Sequence, residues 1–249
     1  MKLDMGSWTE DELVHIMKSS LSRDDPGKRI AAISEYFLGT AYQESTLTGD
    51  VRSPEELVVN LSGVDCFTFL DYVEAMRVSG SFAGFLACLK RVRYRGGMVS
   101  FRTRNHFFTD WTVHNPSFVM DVTAEIGKQR VRNVQKMLNL KKDGSFLLEG
   151  IEPKSRTITY IPADSLDETM AARLSTGDYA GIYTEREGLD VSHVGIIIRR
   201  QGALFLRHAS SVPDERAVID QDLREYMKGR PGLIVLRSLD LPVKISDCS

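Results

Sequence analysis

The sequence predicts an α+β fold, and three observations carry that expectation. Up to about residue 138 the apolar residues recur mainly at helical spacing. After Glu152 the pattern changes to short β-branched and aromatic runs punctuated by turn residues. The strongest run, Ser192-His-Val-Gly-Ile-Ile-Ile-Arg199, leads through Gln201-Gly202 into Ala203-Leu-Phe-Leu-Arg-His208, the signature of an antiparallel hairpin. Helices first and an antiparallel meander afterwards is the order of an α+β domain.

Thr9, followed by Glu12, is a capping-box signature that opens a helix over residues 9–20. Pro26 starts a second, to Phe37, with Ile30, Ile33 and Phe37 on one face. Leu57-Val58-Val59 is a short apolar run into a turn at Ser62-Gly63. Cys66, Phe69, Leu70, Val73 and Met76 then fall on one helical face, so Cys66 is the first residue of a helix entering the core. Another helix spans 82–93. Residues 94–115 mix aromatic and polar residues with no clean period and predict a loop with short extended pieces, the kind of segment that lines sites. A helix is expected over 123–138 and another over 165–174. Strands are expected over 157–161, 178–183, 192–199, 203–208, 217–219 and 232–239, with a helix capped by Asp220 running to Lys228.

The 249 residues carry 32 basic and 34 acidic side chains with no basic segment, which argues against a nucleic-acid partner. No apolar run reaches membrane-spanning length, and nothing in the pattern specifies an oligomer. Cys66, Cys88 and Cys248 do not form a disulfide framework: Cys88 reads as buried packing and Cys248 as exposed. No metal-binding Cys-x-x-Cys or His-Glu-x-x-His spacing is present, and no cofactor is expected.

Cys66 is the chemically interesting thiol. Unpaired amides and the dipole at a helix start stabilise an anion, so a thiol there is expected to have a lowered pKa and to alkylate readily. The alternative is a small buried core residue. The histidines weigh in for chemistry. His193 begins one arm of the hairpin and His208 ends the other, which places them nearly opposite at its open end. One imidazole can take the thiol proton while the other orients it; the competing arrangement is a metal held by both histidines and Cys66.

Four stretches in this order, Gly39-Thr-Ala-Tyr42, Val64-Asp-Cys-Phe-Thr-Phe69, Ser192-His-Val-Gly-Ile-Ile-Ile198 and Leu206-Arg-His-Ala-Ser210, resemble the motifs of NlpC/P60 cysteine peptidases, papain-like cell-wall hydrolases. The nearer likeness is to the subfamily first catalogued as domain of unknown function 1460, which is similar to N-acetylmuramoyl-L-alanine amidases and shares a stretch like Arg104-Asn-His-Phe-Phe-Thr-Asp-Trp111. The resemblance implies a single papain-like domain over 1–249, with a helical extension over about 1–37 and an insertion over about 94–175. It implies peptidoglycan fragments as substrate, Cys66 as nucleophile, His193 as base and His208 as orienting residue. Tyr42 is implied to help position substrate or oxyanion, with helix-start amides supplying the rest of the oxyanion hole, and Asp65 to hold a peptide amino group. Asn105, His106, Asp110 and Trp111 are the candidates for sugar recognition, with Trp111 as a stacking surface; the alternative is that Trp111 and Phe107 are simply core. Relatives that cut between D-glutamate and the diamino acid carry serine after the nucleophile, where it helps bind a free L-alanine amine; here Phe67 stands there. That favours cleavage of the N-acetylmuramoyl-L-alanine amide over γ-D-glutamyl-diamino acid endopeptidase activity. A non-catalytic peptidoglycan-binding module is the further alternative. Such hydrolases imply the periplasm or cell envelope if a leader has been removed, and the cytoplasm otherwise, since residues 1–8 show no signal-peptide core.

Overall fold

The computed structural model describes residues 1–240. In chain order, strand β1 (Lys2–Asp4) precedes helices α1 (Glu10–Leu21) and α2 (Pro26–Glu35). Short strands β2 (Ala41–Tyr42), β3 (Val58–Asn60) and β4 (Gly63–Val64) lead to helices α3 (Cys66–Arg77) and α4 (Phe82–Arg93). Helix α5 (Asp110–His114), strand β5 (Val119–Asp121) and helix α6 (Thr123–Gly127) follow. The second half comprises strands β6 (Arg132–Leu138) and β7 (Lys154–Pro162), helix α7 (Glu168–Ala171) and strands β8 (Tyr179–Tyr183), β9 (Val191–Arg200), β10 (Ala203–Ala209) and β11 (Val218–Asp222). Helix α8 (Leu223–Met227) and strand β12 (Gly232–Ser238) complete it.

The expected α+β character stands. One antiparallel eight-stranded sheet runs β11-β10-β9-β8-β12-β7-β6, with β5 added on β12. Two apolar clusters cover its faces. One lies between the sheet and α1 to α4, the other on the opposite face with α6, α7 and α8. Ile196 and Ile198 belong to the first and Ile197 to the second, which is why β9 reads as an unbroken apolar run rather than an alternating one. The β9–β10 turn places Gln201 at φ 50° and Gly202 at φ 84°, the left-handed pair that a tight two-residue hairpin requires.

Three expectations are corrected. Residues 123–138 are not one helix: α6 stops at Gly127 and residues 132–138 form β6, paired over seven residues with β7. Seven ladder pairs outweigh weak helical propensity in a segment carrying Val134 and Asn133. The helix over 165–174 shrinks to α7, residues 168–171. Asp220 does not cap α8; Asp222 does, accepting from the Glu225 amide at 3.0 Å, while Asp220 pairs with Arg207 at 2.7 Å. Cys88 is buried on α4, and Cys248 lies outside the described residues. Among the described residues no helix is long and apolar enough to cross a membrane.

Helix α3 is surrounded by protein, and polar side chains lock it. Asp71 meets Arg93 of α4 at 2.7 Å, and Arg93 donates to the Val58 carbonyl at 2.6 Å. Glu74 receives Arg77 at 2.6 Å, the Tyr179 hydroxyl at 2.7 Å and the Ser238 hydroxyl at 3.0 Å. These bonds tie the helix that begins with Cys66 to α4, β8 and β12.

Candidate active site

Asp65 is the N-cap of α3. Its Oδ1 accepts from the Phe67 and Thr68 amides at 2.9 and 2.7 Å and from the Thr68 hydroxyl at 2.9 Å; the Thr68 hydroxyl in turn accepts from the Asp65 amide at 3.0 Å. This capping box fixes where the helix starts and hence where Cys66 points. It also consumes two of the amides expected to serve an oxyanion hole. Cys66 keeps its own amide, and among the described residues it is the free thiol.

The sheet receives that thiol where two strands part. The β9–β10 ladder ends at Ile196–Arg207, while His208 and Ala209 stay paired with Ile219 and Val218 of β11. The Val194 amide, left without a ladder partner on that side, faces the Cys66 sulfur, as does the Cys66 amide; the Phe67 amide adds a smaller pull although it donates to Asp65. All three favour the thiolate, in the sense the helix start predicts. They are outweighed. Burial, reinforced by the neighbouring Asp65 carboxylate, pushes the Cys66 thiol up to about 12. The expectation of a ready thiolate is therefore reversed for the resting protein.

His193 and His208 meet as the hairpin predicted. His193 Nε2 lies 2.9 Å from His208 Nδ1, with the rings edge to face at 4.9 Å. They sit on the same sheet face but one step apart along the strands, since the register runs Ala203–Arg200 and places Gly195 across from His208. Gly195 makes the room: a Cβ there would fall 2.8 Å from the Arg207 carbonyl and 3.0 Å from His208 Cβ. Burial, with His208 and Arg230 adding to it, pushes His193 down to about 3. Burial lowers His208 as well, though Gln221 favours its protonated form. His208 Nε2 is buried without a hydrogen-bond partner. Both imidazoles are consequently neutral at neutral pH. A neutral thiol beside a neutral imidazole should give Cys66 an alkylation rate that climbs only above the usual thiol range of about 8.5. Iodoacetamide labelling from pH 5 to 10 checks this; a plateau below pH 7 would mean a preformed thiolate.

Tyr42 reaches the site by way of β2, which pairs with β4 (Tyr42 with Val64) just before the helix that begins with Cys66. Burial and the Cys66 and Asp65 charges raise its hydroxyl pKa, so Tyr42 presents an O–H donor. Tyr226 was missed in the sequence. Its ring lies 5.0 Å from His208 and 6.1 Å from His193, and it too stands within range of the Cys66 charge. Only the folding of α8 onto β10 brings it there.

The four residues expected to recognise a sugar are placed elsewhere. Trp111 is 1% exposed, its ring edge-on to Phe67 at 5.9 Å and to Tyr179 at 5.2 Å, so it offers no open face for stacking. Asn105 donates to the Val92 carbonyl at 2.8 Å and its Oδ1 lies 2.7 Å from His114 Nδ1. His106 bonds the Phe101 carbonyl at 2.7 Å and burial pushes it down to about 4. Asp110 is fully buried and pairs with Arg156 at 2.9 Å and Lys154 at 3.2 Å. Trp111 thus backs Phe67, while Asn105, His106 and Asp110 are engaged by other groups of the protein. Among the described residues no three His, Cys, Asp or Glu side chains converge as a metal would need.

The family model for AmiA-like proteins, N-acetylmuramoyl-L-alanine amidase-like, matches residues 32–233. The chain belongs to this family. An N-acetylmuramoyl-L-alanine amidase from Bacteroides uniformis is 26% identical to this AmiA-like chain, over 86% of it and 99% of the relative, with a TM-score of 0.72. A Legionella pneumophila protein assigned to domain-of-unknown-function family 1460 shares the fold at a TM-score of 0.78, 23% identical over 92% of this chain and 94% of its own. A Bacteroides fragilis protein provisionally called a xylanase is 29% identical over 82% of this chain and 98% of its own, with a TM-score of 0.65. No curated protein matches the chain. The family is one of amidase-like peptidoglycan hydrolases.

Proposed function

We propose that this protein hydrolyses the N-acetylmuramoyl-L-alanine amide of peptidoglycan fragments through a thiol acyl-enzyme at Cys66, with the papain-like logic of the NlpC/P60 enzymes. The observation that carries the reading is the 2.9 Å pairing of His193 with His208 on the strand whose next amide, Val194, faces the Cys66 sulfur. His193 Nε2 is occupied by His208, so Nδ1 is the nitrogen left for the thiol. For Nδ1 to accept a proton, Nε2 must carry one and donate it to His208 Nδ1, and His208 then keeps its own proton on the buried Nε2.

Catalysis on this arrangement is general-base attack rather than attack by a standing thiolate. As substrate enters and its carbonyl carbon approaches, His193 takes the Cys66 proton and the sulfur bonds to the lactyl carbonyl. The Cys66 amide and the Tyr42 hydroxyl are the donors available to the oxyanion. Collapse expels the L-alanine amine, which takes the proton from His193. Water, deprotonated by His193, then releases the lactyl acid and restores the thiol. Phe67, held edge-on by Trp111, occupies the place where a serine would receive a free amine, which favours this bond over the γ-D-glutamyl one. Glycoside hydrolysis, suggested by the name of the Bacteroides fragilis relative, needs two carboxylic acids facing across a sugar; the acid beside Cys66 is Asp65, engaged as a helix cap. The cell envelope is the compartment this reaction implies.

Digestion of defined muropeptides, read by mass spectrometry, tests the assignment. Release of free L-alanyl peptides together with muramic-acid sugars is the expected result. L-alanyl-D-glutamate pieces would instead mean endopeptidase action, and no cleavage would leave a binding module.

A further inference from the structure

We infer that the recess lined by Gln221, Tyr226 and Arg230 is a subsite for a free carboxylate of the substrate's stem peptide, with Arg230 as the group that binds it. The inference rests on the reading of Cys66 as the reacting centre.

The recess has a volume of about 490 Å³, and Tyr226 in its lining is the residue that touches the two histidines. Tyr226 joins the two places, because its ring neighbours both imidazoles and also carries the Arg230 guanidinium at 5.0 Å. Stacking on an aromatic face pre-orients a guanidinium and leaves its planar fork of N–H groups free for an oxyanion. Arg230 is close enough to the histidines for its charge to disfavour protonation of each.

Other arginines near the site have carboxylate partners. Arg207 and Arg200 share Asp220 at 2.7 and 2.6 Å, and Arg216, over the Tyr42 ring, has Glu44 at 3.9 Å. Arg230 has no carboxylate partner among the described residues. The two acids lining the same recess are already engaged: Glu225 pairs with Lys228 at 2.7 Å, and Glu215 accepts the Ser210 hydroxyl at 2.5 Å. A stacked, unpaired guanidinium one ring away from the reacting histidines therefore meets an incoming anion. Gln221 lines the same recess. On a substrate whose scissile amide lies at Cys66, the nearest fixed negative charge is a carboxylate of the peptide that leaves.

The test compares the wild type with Arg230→Met and Arg230→Lys, using N-acetylmuramoyl-L-alanyl-D-glutamate and its α,γ-dicarboxamide, which carries no free carboxylate. Loss of a charge-assisted bond should raise KM for the acid roughly tenfold or more in Arg230→Met, with partial recovery in Arg230→Lys. The amide should be affected far less. Equal effects on acid and amide would overturn the subsite. A second readout needs no turnover: the ratio of Cys66 alkylation by iodoacetate to that by iodoacetamide should fall several-fold in Arg230→Met. Should the wild type cleave neither substrate, the amidase reading fails by itself. The alkylation ratio then decides the subsite, and an unchanged ratio overturns it.

Discussion

Replacing Cys66 with alanine should abolish hydrolysis while leaving the fold in place. Removing the nucleophile from a nucleophile–base–orienter set typically lowers kcat by at least about 10⁴-fold, down to what binding and oxyanion donors supply alone. The structure gives two reasons to expect a clean result. Cys66 is half-buried and its helix is capped by Asp65, so Cys66→Ala removes one sulfur from an otherwise intact frame. Serine should not rescue. An alcohol is a weaker acid than the thiol, and His193, held down to about 3 by burial, is a weak base to take its proton. His208→Ala should cost less than Cys66→Ala, because it frees the His193 ring without removing the base. Turnover of a defined muropeptide, alongside thermal melting of each variant, measures both effects. Retained turnover in folded Cys66→Ala would sink the thiol mechanism.

The largest stability effect should come from Asp71→Ala. Asp71 and Arg93 are each about 1% exposed, and burial pushes the Asp71 carboxyl up to about 6 against the pull of the guanidinium. The pair is still ionised at neutral pH. Truncating the acid leaves a buried guanidinium holding the Val58 carbonyl and stacked over the Tyr72 ring with no carboxylate, among the described residues, to balance its charge, and breaking such a pair costs roughly 3–5 kcal/mol. The pair is not fully satisfied even when intact, since Asp71 Oδ1 and Arg93 Nη2 lack hydrogen-bond partners. Asp71→Ala combined with Arg93→Met should therefore recover most of the loss. Urea unfolding of the two single variants and the double variant closes the cycle. A double variant as unstable as Asp71→Ala would mean that Arg93 acts through packing alone.

Helix-start and hairpin chemistry was legible in the chain. Asp65-Cys66 followed by residues at helical spacing located α3 to the residue, and the turn at Gln201-Gly202 brought His193 and His208 together. These signals are local: a cap, a period and a two-residue turn act between residues close in sequence. Segments governed by distant partners were misread, as when residues 132–138 became a strand because β7 supplied seven ladder pairs. The setting of the sugar-site candidates was not readable for a related reason. A loop rich in aromatic and polar residues looks alike in sequence whether it faces a cleft or fills a wall, and Trp111 and Asp110 are buried.

By itself, then, the sequence determined which side chains could react and which elements would carry them, because capping, periodicity and turn geometry are written over a few residues. The tertiary structure alone decided their protonation and their company. Burial set the Cys66 thiol and His193 imidazole to their neutral forms against the pull of the helix start. The parting of β9 from β10 opened the gap that receives the sulfur, and the docking of α8 brought Tyr226 and Arg230 to the histidines. Desolvation and long-range packing depend on everything that surrounds a group, and no window of sequence contains that.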